Sequence, residues 1–301
     1  MDTLSALAVK VLFRLISWLP VRIAGGIGAG LGRLGYHLDK RHRNVAHRNL
    51  ARIYPHRDRK WRQHIARESF AELGRTMLEL PHVFLRSKKY LLSRLEIEGE
   101  DVFCEAMQQG DGVVITSIHI SNWELGAMSF SLLGYPSTQM YRPLRQAGPD
   151  RLLKSWRERF GTILHTRTER LRWLYKAMKQ GACIGLMVDQ HLSNGIPIPF
   201  LGHMANSTTL PATLAMKGMP VFSLTFQRLG RDFRFHMQLH PIDIPTPSGD
   251  KNADAIEIMR RINKPLEDTI RERPELWLWT HRRWRILEQE PQIAEVVYGA
   301  P

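Results

Sequence analysis

The hydrophobic pattern divides the chain near residue 95. Residues 4–21 (LSALAVKVLFRLISWLPV) form an apolar run interrupted by Lys10 and Arg14. On a helix, Thr3, Lys10, Arg14 and Ser17 share one face, while Leu4, Leu12, Phe13, Leu15, Ile16, Trp18 and Leu19 spread over the others. That pattern predicts an interfacial amphipathic helix or a short, snorkelling anchor, with a surface helix docked on the core as the alternative. Residues 39–79 are helical in period and strongly basic, and Pro55 splits them into two helices. Beyond residue 95 the apolar positions gather into short runs (GVVITSI, STQMYR, TILHT, ACIGLMVDQ) that alternate with helical stretches near 149–160 and 168–180. A helix near 208–217, strands PVFSLTFQRL and DFRFHMQLHPIDI, and a helix near 252–272 follow. This alternation predicts an α/β fold with a central mixed sheet covered by helices. No linker divides the chain, so the reading is one domain with an N-terminal helical, membrane-associated extension. Its parts are an anchor segment at 1–38, a basic helical region at 39–94, an α/β core at 95–286 and a C-terminal tail at 287–301.

Composition narrows the class of partner. The chain has 301 residues, 43% of them hydrophobic and 24% charged, which suits a large globular domain and excludes disordered or low-complexity classes. Its two cysteines, Cys104 and Cys183, cannot build a disulfide framework or a cysteine-based zinc site, and they fit a reducing, cytosol-facing compartment. The net charge of +14 is concentrated at one end: residues 1–94 hold 19 basic and 6 acidic side chains, against 24 and 23 in the rest. A cation polarised in this way suits nucleic acid, an anionic membrane surface or an acidic protein.

Motifs exclude several chemistries. Residues 30–35 match G-x-G-x-x-G, but no convincing strand precedes them and no acidic group lies about twenty residues on, so a dinucleotide site is rejected. Gly26, Gly28, Gly30 and Gly32 fit close helix packing better. The absence of a Walker loop, HExxH, paired CxxC and GxSxG removes P-loop hydrolysis, thermolysin-like zinc chemistry and the serine-esterase elbow.

The sharpest chemical signal is Ser117-Ile118-His119-Ile120-Ser121-Asn122-Trp123-Glu124, which follows a buried-looking strand at 112–116. His119 thereby falls at a strand's C-terminal end, where α/β sheets place their sites. A helix starting at Ser121 would carry Glu124 one turn in, where it can accept from one imidazole nitrogen while the other faces a substrate. Ser121-x-x-Glu124 also matches a capping box, in which the glutamate only satisfies a backbone donor.

Together with Tyr141-Arg142-Pro143, Asp189-Gln190, Pro199-Phe200-Leu201-Gly202 and Trp279-Thr280-His281-Arg282-Arg283-Trp284, this segment resembles the lipid A biosynthesis lauroyl/myristoyl acyltransferases, part of the wider glycerolipid acyltransferase group with its His-x4-Asp/Glu pattern. The upstream stretch Arg41-His42-Arg43-Asn44-Val45-Ala46-His47-Arg48-Asn49-Leu50, with Tyr54-Pro55 and Leu78-Glu79, is similar to the same family's basic N-terminal region. The resemblance covers roughly residues 5 to 285 and implies a single glycerolipid-acyltransferase-like domain at the cytoplasmic face of the inner membrane. It also implies acyl carrier protein as donor, a glycolipid hydroxyl as acceptor, contact with an anionic membrane surface, no nucleic-acid partner, and no cofactor or metal. One departure stands inside the motif: Ile120-Ser121 occupies the place where the family usually has a glycine before Asn-Trp-Glu, which bears on acceptor identity more than on reaction type.

Direct transfer from a thioester needs only a base for the attacking hydroxyl and donors for the oxyanion. His119 and Glu124 are the catalytic candidates. Substrate-binding candidates are Asn122, Trp123, Arg142, Asp189, Gln190, Ser207, Thr208, His281, Arg282 and Arg283. Arg142 and the His281-Arg282-Arg283 run suit phosphate, and Asp189 suits a supporting or acceptor-site carboxylate. Residues 206–209 also read as a helix cap, and Trp277, Trp279 and Trp284 read equally as core or as lipid contacts. Two other readings stand beside this one: the same fold acting on a lysophospholipid, phosphatidylinositol mannoside or aminolipid, and a nucleic-acid-binding module built on the basic stretch.

Overall fold

The computed structural model describes residues 2–166, 169 and 172–285; the tail expected at 287–301 lies outside the described residues. Five helices come first: α1 (Asp2–Trp18), α2 (Val21–Leu38), α3 (Lys40–Ile53), α4 (Arg59–Leu85) and α5 (Lys88–Leu92). Then follow β1 (Leu95–Glu98), α6 (Glu100–Gln108), β2 (Val113–Ser117), α7 (Trp123–Leu133), β3 (Ser137–Tyr141), α8 (Ala147–Arg157), β4 (Thr162–Thr166), α9 (Arg172–Lys179) and β5 (Cys183–Met187). The chain continues through β6 (Ile196–Phe200), β7 (His203–Ser207), α10 (Leu210–Ala215), β8 (Val221–Arg228), β9 (Phe235–Pro241), α11 (Lys251–Glu272) and a 3-10 turn, Pro274–Leu276.

Seven strands form one sheet in the order β1-β9-β8-β2-β5-β3-β4, in which only β8 and β9 pair antiparallel. This is the mixed, helix-covered sheet the alternation predicts. Strand β1 and the separate hairpin β6–β7 were not anticipated. Pro199-Phe200-Leu201-Gly202 is the tip of that hairpin, where Leu201 (φ 51°) and Gly202 (φ 82°) supply the two positive dihedrals of a tight two-residue turn. Successive residues of the central strands feed opposite cores, as the strand period of two requires. Val114 and Ile184 face a core shared with α3, α9, α10 and α11, whereas Val113, Ile115 and Cys183 face one shared with α6, α7 and the end of α4.

The N-terminal helices are built into this body. Helices α2 and α4 meet backbone to backbone, since a Cβ on Gly28 or Gly32 would strike the α4 main chain at Gly74 or Phe70. Gly26 and Gly30 look into open space, so only half of the glycine stripe serves packing. Phe13 of α1 stacks on Trp156 at 4.7 Å and on Phe84 at 6.4 Å. The outer faces of both helices are apolar and exposed: Leu4, Leu7, Val11, Leu15 and Trp18 on α1, then Ile23, Ile27, Leu31, Leu34 and Leu38 on α2. Among the described residues no single helix is long and apolar enough to cross a membrane; α1 and α2 pass that test only as a pair bent by 118°.

Candidate active site

Strand register brings the site together. In the parallel β2–β5 pair Ser117 lies opposite Met187, and two residues further along each strand come His119 and Asp189. The Asp189 carboxylate takes three hydrogen bonds: from the His119 main-chain N–H (2.8 Å), from His119 Nδ1 (2.8 Å) and from the indole Nε1 of Trp277 (2.9 Å). This network assigns the imidazole proton to Nδ1 and leaves Nε2 as the basic nitrogen. The Gln190 amide nitrogen stands 3.3 Å from Nε2, and the Trp123 ring lies edge-on to the imidazole at 5.5 Å between centroids. His119 retains 17% side-chain exposure against 3% for Asp189, so the carboxylate is the more deeply buried of the two.

Electrostatics follow from the same contacts. Burial alone pushes the His119 imidazolium down, but the Asp189 carboxylate and, from further off, Glu124 outweigh it, and the net shift is upward from 6.5. Burial alone would raise Asp189; its three donors instead hold it down at about 2. Among the described residues no group of three or more His, Cys, Asp or Glu is placed to hold a metal ion.

The expectation that Glu124 accepts from the imidazole is corrected by this geometry. Glu124 forms a two-pronged ion pair with Arg157 of α8, with Arg157 Nε at 2.8 Å from Oε2 and Nη2 on Oε1. Burial disfavours the Arg157 cation, but its glutamate partner more than compensates and raises its pKa. The capping-box alternative fails as well, because the helix cap is Asn122, whose Oδ1 accepts from the Leu125 N–H at 3.2 Å. Glu124 keeps its place in the first turn of α7, where the helix dipole favours an anion.

Several of the other candidates turn out to be structural. Asn122 is fully buried, with its Nδ2 donating to Glu79 at 3.1 Å, so it presents nothing to a substrate. Burial lowers His281 to about 4, and its Nε2 accepts from the His191 N–H at 2.9 Å; it is neutral and cannot bind phosphate as a cation. Arg283 is fully buried and spent on the Gln190 carbonyl (3.1 Å), the Asn206 carbonyl (2.8 Å) and Ser207 Oγ (2.6 Å). It therefore locks the loop that carries Gln190, with Ser207 as part of the lock. Thr208 Oγ1 accepts from the Leu210 N–H at 3.2 Å, while the cap residue of α10, Thr209, makes no side-chain cap bond. Arg142, just past β3, and Arg282 are exposed. Trp277, Trp279 and Trp284 are all buried.

Sequence reasoning missed Trp277 as a donor to Asp189 and Arg157 as the partner of Glu124. An Asp two residues past a strand parallel to the His strand was the available signal for the first network. Nothing in the local spacing marked Arg157, 33 residues from Glu124. The motif also carries a strained backbone position. Ser121 has φ 49°, the left-handed region that glycine enters freely and that costs an L-residue roughly 1–2 kcal/mol.

Comparison with known proteins identifies the family. The family model described as bacterial lipid A biosynthesis acyltransferase matches residues 3–286. The lipid A biosynthesis lauroyltransferase of Escherichia coli (strain K12) is 25% identical over 94% of this chain and 91% of its own length. The myristoyltransferase of the same organism is 26% identical over 88% of this chain and 81% of its own length. A lipid A biosynthesis acyltransferase of Haemophilus influenzae is 25% identical over 88% of this chain and 82% of its own length. A family match spanning nearly the whole described chain makes this protein an O-acyltransferase belonging to the bacterial lipid A biosynthesis acyltransferase family.

Proposed function

We propose that the protein transfers a fatty acyl chain from acyl carrier protein to a hydroxyl of a lipid A precursor by direct attack on the thioester. The observation that carries this reading is His119, whose Nδ1 is locked by buried Asp189 while its Nε2 meets only the Gln190 amide among its hydrogen-bond contacts. An incoming hydroxyl takes the place of the Gln190 amide at Nε2 and gives its proton to that nitrogen. Its oxygen bonds to the thioester carbonyl carbon, the C–S bond breaks, and the departing thiolate takes the proton back from the imidazolium. Asp189 holds the tautomer and stabilises the transient cation, and Glu124 adds a second, more distant negative field. No enzyme nucleophile is needed, because a thioester is already activated.

Membrane association at the cytoplasmic face of the inner membrane is part of the same reading. It is supported by the exposed apolar faces of α1 and α2 and by the basic charge of residues 1–94, each cation near an anionic leaflet adding about 1 kcal/mol. Mass spectrometry of membrane lipids with and without the gene tests the chemistry. Loss of one acyl chain from lipid A supports the reading, and an unchanged lipid A with a phospholipid altered instead redirects the acceptor. Liposome flotation tests the anchor: a protein lacking residues 1–21 should be released by high salt, and its full recovery on neutral vesicles in high salt would place the anchor elsewhere.

A further inference from the structure

Behind the turn that joins His119 to Glu124 lies a buried charge network that the reaction itself does not use. Arg228, at the end of β8, is 1% exposed in its side chain. Its Nη1 and Nη2 grip both oxygens of Glu79 at 2.8 and 2.7 Å, and its Nε donates to Glu72 Oε1 at 2.7 Å. Arg75 reaches the other Glu72 oxygen at 3.3 Å. Glu72, Arg75 and Glu79 all belong to α4, so the cluster ties α4 to the central sheet.

A network that served only to join α4 to β8 would close on itself, and this one does not. Two of its members, together with Thr76 of the same helix, are spent on Ser121 and Asn122, two of the three residues between His119 and the start of α7. Thr76 Oγ1 donates to the Ser121 carbonyl at 2.9 Å, the Arg228 main-chain N–H donates to Ser121 Oγ at 3.1 Å, and Glu79 Oε2 accepts from Asn122 Nδ2 at 3.1 Å. Ser121 is the residue held at φ 49°, and Asn122 is the cap that starts α7 and so aims Trp123 and Glu124. On its other side the turn is pinned by main-chain bonds, Ser121 N–H to the Leu276 carbonyl at 3.0 Å and Leu278 N–H to the His119 carbonyl at 3.2 Å. Main chain from the tryptophan segment thus holds one side of the turn, and side chains of α4 together with Arg228 hold the other.

We propose that Thr76, Glu79 and Arg228 are positioning residues for acyl transfer: by holding Ser121 in its left-handed conformation and Asn122 at the helix cap, they set the placement of His119 relative to Glu124 and Arg157. The inference rests on the proposed role of His119 and adds a requirement that role does not contain. Misplacing a reacting group by an ångström from a distance costs up to about 100-fold in rate. The hydroxyl of Thr76 can be removed with almost no change of shape, which makes it the sharpest probe.

The experiment compares Thr76→Val, Thr76→Ser, Glu79→Gln and His119→Ala in the full chain, using lauroyl and myristoyl thioesters of acyl carrier protein with a lipid A precursor, and normalising turnover to folded protein from thermal melts. Thr76→Val should lower kcat about tenfold with KM for both substrates within about twofold, and Thr76→Ser should restore it. Glu79→Gln should lower kcat further with the same unchanged KM. A purely structural network would lower melting temperatures and leave kcat per folded molecule intact, and that result in Thr76→Val overturns the inference. If Glu79→Gln does not fold, the two Thr76 variants decide the matter alone. Full turnover by His119→Ala would instead remove the proposed base, a failure separable from the loss of the positioning role.

Discussion

Two carboxylates flank the motif histidine, and their surroundings differ in kind. Asp189 sits at the end of β5, buried, and accepts from the imidazole, the His119 main chain and an indole. Glu124 sits in the first turn of α7 and gives both oxygens to one guanidinium from α8. The carboxylate five residues away in sequence is thus committed to an arginine, and the one seventy residues away holds the histidine. Adjacent parallel strands place their C-terminal ends side by side whatever the chain length between them, whereas a helix leaving a turn carries its first residues away from the strand it follows. Sequence proximity to a base is therefore a weaker guide to its partner than strand register.

The comparison can be broken most directly at the base. His119→Ala should lower kcat by about 100-fold or more, with the fold kept, as measured by steady-state acyltransfer and circular dichroism. Activity within a few-fold of the parent would make both carboxylates bystanders.

Neutralising the two carboxylates in turn sharpens the contrast. Asp189→Asn should cost about 100-fold in kcat and Glu124→Gln about tenfold, each read from the pH profile of kcat/KM. The proposed base must be neutral to act, so the rate should rise with pH through the raised His119 value. Removing a neighbouring anion lowers that value, since burial is then less opposed, and the acid limb moves to lower pH. Asp189→Asn should move the limb further than Glu124→Gln, and the reverse order would return the orienting role to Glu124.

Stability gives a smaller signal. Trp277→Phe removes one of three donors to a buried carboxylate, which costs roughly 1–3 kcal/mol in denaturant unfolding and leaves His119 in place. The smallest effect is expected at the cysteines. Cys183 is buried, and burial pushes its thiol up to about 12, while the Sγ of Cys104 is 2.9 Å from the Tyr135 hydroxyl. Their double alanine variant should keep its activity, and recovery of an acyl-enzyme from the thioester donor without acceptor would overturn direct transfer.

Several elements were legible in the residues for local reasons. The strands β2, β3, β4, β5, β8 and β9 announced themselves as apolar runs, because buried strands need apolar side chains whichever neighbours they pair with. The break at Pro55 was legible for the same kind of reason, a ring that removes a helix hydrogen bond and disfavours helix continuation. The hairpin β6–β7 was hidden because Pro197 and Pro199 argue against a strand, and the two-stranded edge that tolerates them is a tertiary fact. His119 at a strand end was also in the sequence, as was the departure from glycine that Ser121 answers with a positive φ.

Which groups meet was decided elsewhere. Arg283 and His281 read as phosphate ligands in a basic run, yet one is buried against carbonyls and the other is held neutral by burial. Thr76 and Glu79 read as parts of a basic helical stretch, yet their side chains reach the turn that follows His119. A sequence fixes residue types and local periods, so it determined six of the sheet's seven strands, the apolar, twice-interrupted N-terminus and the place of His119 at a strand end. The partners of each charge depend on desolvation and on distances between segments far apart in the chain, and those quantities exist only once the strands have been ordered and the helices packed.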